Sequence, residues 1–590
     1  MSSKRRFRSQ DWFGDRDHID LMALYLERFM NYGTTPAELM SGKPIIGIAQ
    51  SGSDLTPCNR IHVQLADRVR DGIRDAGGIP IEFPTHPIFE NCRRPTAALD
   101  RNLAYLGLVE ILHGYPLDAV VLTTGCDKTT PAGIMAASTV DIPAIVLSGG
   151  PMLDGWFEDE LVGSGTVIWK SRRRLGAGQI TEAEFLEAAA ASAPSPGHCN
   201  SMGTASTMNA VAEVLGLSLP GCAAIPAPYR ERGQMAYATG RRIVEMAYED
   251  LRPSQILSRE SFLNAITAIA AIGGSTNAQP HLVAMARHAG LELHPQDWME
   301  YGHDIPLLVN MQPAGRYLGE RFHRAGGVPA VLCELLDANK LHGDARTITG
   351  RTLRENVSGR HSRDREMITT YAQPLREKAG FIVLSGNLFD FAILKASVIN
   401  ADFRRRYLCS AGHDNVFEGR AIVFDGSDDY RARINDPASD IDERSILVIR
   451  GAGPLGWPGS AEVVNMTPPD ALLKRGIASL PTIGDGRQSG TSDSPSILNA
   501  SPESAAGGGL AWLRTGDVIR IDLNESRCDM LVAPEEIERR KADGIPAVPE
   551  SATPWQELYR ATVSQLDRGG VMEMALKYRG VARKTPRHNH

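Results

Sequence analysis

Between Lys43 and Gly150 short apolar runs alternate with amphipathic stretches. PIIGIAQ (44–50) reads as a buried strand, and a polar loop, SGSDLTPCNR, follows it. Ile61, Leu65, Val69 and Ile73 then recur at helical spacing until Gly77-Gly78 ends the helix. IPIEFP, a helix over about 97–113, the strand DAVVLTT, a short helix opening at Pro131 and the strand IPAIVLSGG continue the alternation. This rhythm predicts a doubly wound parallel α/β region. Helical patterns then dominate, 203–217 and 261–271 among them. From about Ala379 the texture changes to short β-like runs divided by turn residues: FIVLSGNL, RAIVFDGS, SILVIRGAG, DVIRIDL and CDMLV. These predict a second domain, a barrel or sandwich of strands. The expected division is an N-terminal α/β domain over 1–375 and a C-terminal β-barrel-like domain over 376–590, with the charged stretch 354–366 as the connection.

A chain of 590 residues exceeds what one core supports, which agrees with two lobes. The formal net charge of −7 argues against a general nucleic-acid binder. The most apolar helical stretch, 262–272, is too short to span a bilayer, so no membrane partner is expected. The N-terminus has a basic cluster, KRRFR, without an apolar run behind it. That excludes the build of a secretory signal, makes the cytoplasm the default location, and reads as a solvated terminus rather than a docking arm. Eight thinly spread cysteines in such a chain do not predict a disulfide framework.

The candidate chemistry sits in loops. Cys58 follows the strand PIIGIAQ and Cys126 follows DAVVLTT, and loops at the carboxyl ends of parallel strands are where open α/β sheets hold ligands. Cys199 lies in a Gly/Pro/Ser loop before a helix. Each alone reads better as a small core residue; their shared loop context lets the three together equally suit a cluster with one open position. Asp127 and Lys128 stand beside Cys126, and Glu90 follows IPIEFP; carboxylates there suit a hard cation such as magnesium, or else pair with Arg93 or Lys128. An ordinary lysine ammonium cannot ligate a metal, so Lys128 needs modification or a pairing role. GAGPLG (451–456) matches the dinucleotide fingerprint, but Pro454 and Pro458 stand where a helix should open, and a tight loop presenting Glu462 is expected instead. GDGRQSGTSD offers Arg487, Ser489 and Thr491 to an anionic substrate, or is a plain turn between strands.

At TPCN (56–59), TTGCDKTTPA (123–132), GHCNSMGTASTMN (197–209), GGSTNA (273–278), GAGPLGWPGSAE (451–462) and GDGRQSG (484–490) the chain resembles the dihydroxy-acid and phosphogluconate dehydratase family. RFRSQDWF, ALYLERFMNYG, HPIFENCRRPTAALDRNL and the ending PRHNH point to its pentonate branch, with D-xylonate the expected substrate and L-arabinonate the alternative. The resemblance implies a small-molecule sugar acid as partner, an iron-sulfur cluster of 2Fe-2S type on Cys58, Cys126 and Cys199, and Mg2+ on Glu90, Asp127 and Glu462 with a carbamylated Lys128. It implies Ser489 as the base with Thr491 beside it, and assembly as a homo-oligomer, dimer or tetramer. The PRHNH tail is a candidate for reaching a neighbouring subunit's site.

Overall fold

The computed structural model describes residues 5–409 and 414–586. In it β1 (Ile45–Gln50), β2 (Ile79–Pro84), β3 (Ala119–Thr124) and β4 (Ala144–Ser148) form a sheet in the order β2-β1-β3-β4, parallel throughout. β1, β3 and β4 consist wholly of buried residues, which is why they read as unbroken apolar runs. The helix His62–Asp75 buries Leu65, Val69 and Ile73 as their spacing predicts. The helix expected from Pro131 starts earlier, at Thr129, because proline is tolerated inside a first turn. The chain leaves β1 toward β2 on one side and returns as β3 on the other. The loops after β1 and β3 therefore part and open a crevice at the carboxyl edge. A hairpin of β5 (Trp156–Phe157) and β6 (Glu160–Leu161) follows.

The second sheet contains β7 (Phe381–Leu384), β8 (Phe391–Lys395), β9 (Val416–Asp425), β10 (Ser445–Arg450), β11 (Thr482–Gly484), β12 (Ser496–Ser501), β13 (Val518–Asp522) and β14 (Arg527–Met530). Its order is β14-β13-β9-β10-β11-β12-β8-β7. The two ends nearly meet: Ser385 N–H donates to Ser526 O at 3.1 Å and Cys528 N–H to Ser385 O at 2.9 Å. The sheet is thus a nearly closed, barrel-like one, and α/β describes the chain overall. Its centre departs from a plain β reading, since β9, β10, β11 and β12 run parallel. The connections β10→β11 and β11→β12 cross over mainly through irregular loops, so little helical periodicity announces them.

The stretch 354–366, expected as the connection, is tied down at several points. Its start belongs to the helix Leu353–Val357, and Arg321 pairs with Asp364 and Glu366, both at 2.7 Å, while Arg365 reaches Glu334 at 2.5 Å. The expectation of a solvated N-terminus is corrected for Arg5, Phe7 and Arg8, while Arg6 is exposed. Arg5 pairs with Asp250 at 2.5 Å, Phe7 is buried, and Arg8 donates to the carbonyls of Leu112 and Tyr115 at 3.0 Å each. A guanidinium carries enough donors to cap several helix-end carbonyls, and no short sequence window reveals so distant a partner. Lys4 and the end of the PRHNH tail, 587–590, lie outside the described residues. Among the described residues no helix is long and apolar enough to cross a membrane.

Lys395, at the end of β8, is buried and its ammonium has no hydrogen-bond partner among the described residues. Burial pushes it down from 10.5 to about 8. The unfolded chain therefore binds the extra proton between those values, and stability should rise with pH across that window. Lys395→Met is expected to raise stability at pH 7 by ~1–3 kcal/mol and to flatten that rise, measured by urea denaturation at pH 7 and pH 10.

Candidate active site

The crevice of the first sheet is lined from its loops. After β1 the turn Pro57–Asn59 carries Cys58, and Asn59 Oδ1 accepts the Cys126 N–H at 3.1 Å, which ties this loop to the one after β3. A side chain on Gly125 would strike that same Asn59 oxygen at 2.4 Å, so the motif needs glycine there. Thr129 Oγ1 accepts the Gly125 N–H at 3.1 Å and donates to Cys126 O at 2.8 Å, closing the loop onto the following helix. Cys199 enters from the segment before the helix Thr204–Val214, and Ser164 Oγ donates to its sulfur at 3.4 Å.

The three cysteines are free thiols. Burial, then the neighbouring Cys199, pushes the Cys58 thiol up to about 12. Cys126 and Cys199 are also raised, by burial first and with the Asp127 charge adding to it. Such thiols become thiolates when a metal supplies the compensating charge. Cys58 and Cys199 lie close enough for the charge of one to act on the other, and thiol sulfurs are the donors an iron-sulfur cluster takes. The residues fit the cluster that the sequence pattern implies.

The carboxylates gather next to them. Lys128 Nζ pairs with Asp127 Oδ2 at 2.7 Å and with Glu90. Arg487 Nη1 lies 3.6 Å from Glu462 Oε1, and Arg487 Nη2 lies 3.9 Å from Glu90 Oε1. Burial, reinforced by the Glu90 charge, pushes Glu462 up to about 7. Burial alone would lower Lys128, but Asp127 and Glu90 outweigh it and hold the ammonium above its ordinary value; Lys128 in turn holds Asp127 below its own. Arg487 Nη1 and Nη2 and Asn277 Oδ1 are buried without hydrogen-bond partners among the described residues. Three carboxylates thus face two cations, and burial together with the Glu90 charge is what raises Glu462. Oxygen donors of this kind are the type a hard divalent cation takes.

The second sheet contributes the opposite wall. Glu462 lies on the connection after β10, while Arg487, Ser489 and Thr491 lie on the connection between β11 and β12. Arg487 N–H donates to Ala461 O at 2.9 Å and Arg487 Nε to Ser460 O at 2.7 Å, so the two loops are zipped together. Ser489 N–H donates to Asn465 Oδ1 at 3.1 Å, and Ser489 Oγ lies 2.8 Å from Thr491 Oγ1. Trp169 Nε1 donates to Thr491 Oγ1 at 2.9 Å, while Arg173, one turn along the same helix, grips Asp493 with both Nη atoms at 2.8 and 2.7 Å. Gly165, with φ of 79°, passes so close that a methyl there would lie 2.5 Å from Thr491 Oγ1. Thr491 thereby meets the segment whose Ser164 touches Cys199. Asn277 Nδ2 donates to Glu462 Oε1 and, at 2.9 Å, to Gln488 O, bringing in the GGSTNA stretch. A pocket of about 610 Å³ opens beside Thr491, lined among others by Lys170, Arg173, Arg316 and Tyr317.

The fingerprint-like GAGPLG loop binds its own chain. Gly451 and Ala452 N–H donate to Asp485 at 3.0 and 2.9 Å, and Leu455 and Gly456 N–H donate to Glu503 at 2.8 and 2.9 Å. The amides a pyrophosphate would need are already taken by two carboxylates, and the loop serves to present Glu462. Trp169 and Asn465 carried no sequence signal of their own, since isolated polar or aromatic residues in helices and loops gain meaning only from distant partners, and Asn59, within TPCN, was given no role.

Comparison with known proteins gives two family matches: residues 43–356 fit the dihydroxy-acid/6-phosphogluconate dehydratase N-terminal model and residues 366–570 the corresponding C-terminal model. D-xylonate dehydratase of Caulobacter vibrioides is 75% identical over 99% of this chain and 98% of its own. L-arabinonate dehydratase of Rhizobium leguminosarum bv. trifolii is 43% identical over 98% of each chain. L-arabonate dehydratase of Azospirillum brasilense is 43% identical over the full length of both.

Proposed function

Because the chain belongs to the dihydroxy-acid/6-phosphogluconate dehydratase family, we propose that it is a hydro-lyase acting on an aldonate, D-xylonate before L-arabinonate. The product is a 2-keto-3-deoxy sugar acid and water. The observation that carries this reading is the meeting, from the loop ends of two sheets, of the Ser489–Thr491 hydroxyl pair, a carboxylate set and three free thiols. We infer that Cys58, Cys126 and Cys199 hold an iron-sulfur cluster, 2Fe-2S. Glu90, Asp127 and Glu462 would hold Mg2+, joined by Lys128 once carbamylation has replaced its N–H donors with oxygen acceptors. Bound there, these groups supply Lewis-acid charge to the substrate's carboxylate end and to the departing C3 hydroxyl.

The chain's own residues do the rest. Ser489 takes the C2 proton. A serine hydroxyl is a poor base unless its charged form is stabilised, and Thr491 provides that with a fixed polarity. The Trp169 indole N–H can only donate, so Thr491 Oγ1 accepts from it and keeps its own proton available for Ser489 Oγ once that oxygen carries charge. Arg487, buried between Glu90 and Glu462, keeps the carboxylates from repelling one another apart. Loss of the C3 hydroxyl leaves an enol, which tautomerises to the keto acid. No electron is transferred overall. A homo-oligomer working in the cytoplasm is part of this reading.

Trp169→Phe keeps the ring and removes the donor. It is expected to lower kcat about tenfold with KM little changed, since about one hydrogen bond's worth of transition-state stabilisation is lost. Steady-state kinetics on D-xylonate checks this. An aldonate panel assayed with anaerobically reconstituted protein tests the whole reading: keto-acid formation fastest from D-xylonate supports it, preference for L-arabinonate moves it to the second substrate, and no reaction with any aldonate overturns it.

A further inference from the structure

Outside the crevice, Cys333, Asp337 and His361 are, among the described residues, the one set of His, Cys, Asp or Glu side chains whose ligand atoms all lie within 4.8 Å of one another. We propose that they form a zinc site. Cys333 and Asp337 stand four residues apart on the helix Gly327–Asp337 and so share a face, while His361 comes from the strap 358–366 that leads to the second sheet. Cys333 Sγ lies 3.6 Å from His361 Nδ1. Zinc bonded to sulfur at about 2.3 Å and nitrogen at about 2.0–2.1 Å with a tetrahedral angle needs a separation of about 3.6 Å.

Asp337 Oδ2 lies 3.7 Å from His361 Nδ1 and 4.0 Å from Cys333 Sγ, a few tenths of an ångström beyond that spacing. Asp337 and His361 are both exposed, so small rotations close the difference and solvent gives the ion its path, while the buried Cys333 fixes the sulfur. The strap is held beforehand by Arg321–Asp364 and Arg365–Glu334. Glu334 Oε1 is 3.8 Å from His361 Nδ1 but engaged by Arg365 at 2.5 Å, which leaves the fourth position to water. A mixed sulfur, nitrogen and oxygen set selects zinc over magnesium or calcium. The ion would clip the strap to the helix and need not affect turnover.

The intact protein and its His361→Ala variant, dialysed side by side against low-micromolar zinc and then freed of loose metal, provide the test. The native chain should retain one zinc equivalent more than the variant. Zinc taken up by the crevice cysteines is common to both and cancels in the difference. Cobalt should give a thiolate-to-metal absorption band in the native chain that is weakened by Cys333→Ser, and His361→Ala should keep full dehydratase activity. Equal zinc content in native protein and His361→Ala, or no zinc in either, overturns the proposal.

Discussion

Replacing Ser489 with alanine is expected to cut turnover by about 10²–10⁴-fold, the range a positioned proton acceptor contributes, while the bound iron and magnesium stay as in the native protein. The side chain lost is one hydroxyl on a loop whose backbone is secured independently: Ser489 N–H is held by Asn465, Arg487 is zipped to Ala461, and Asp493 is gripped by Arg173. The fold and the donor sets should therefore survive. KM should change far less than kcat, because the hydroxyl acts on the proton in flight rather than on the resting substrate. Near-native turnover by Ser489→Ala, with metal content intact, would assign the base elsewhere.

Cys126→Ser is expected to lose the iron-sulfur absorbance and to lose activity by about 10³-fold or more, since several kcal/mol of charge stabilisation at the departing hydroxyl vanish with the cluster. Cys126 sits at the base of the crevice, with its amide bound to Asn59 and its thiol against Asp127. Cys222→Ser makes a matched control. Cys222 is also buried but lies against Arg232 and belongs to none of the three loops. It should keep both the absorbance and the turnover. Retained absorbance in Cys126→Ser would remove that cysteine from the ligand set.

Much of the first sheet was legible because strands buried on both faces leave unbroken apolar runs, and the helices between them keep their period. What could not be read was the strand order. That Cys58 and Cys126 follow strands is visible in the chain; that β1 and β3 are neighbours at the switch point, so that their loops share a crevice, is a property of the assembled sheet. The second sheet hid its parallel centre for a related reason: the crossovers carrying Glu462 and Ser489 are mostly irregular loops with short-range glycine and proline signals only. Trp169 shows the limit most clearly, since its single hydrogen bond to Thr491 spans 322 residues of chain. The N-terminal arginines, read as solvated from local composition, are held by partners at Asp250 and along 112–117 that no local pattern announces.

The central claim is that two sheets bring a proton acceptor and two metal-binding donor sets to one aldonate. The most direct measurement is product analysis of D-xylonate incubated with the chain after anaerobic reconstitution with iron, sulfide and magnesium, with no nucleotide present. The account predicts one 2-keto-3-deoxy acid formed for each D-xylonate consumed, with no oxidised or reduced by-product. A nucleotide requirement, or a product that has kept its C3 hydroxyl, would contradict it.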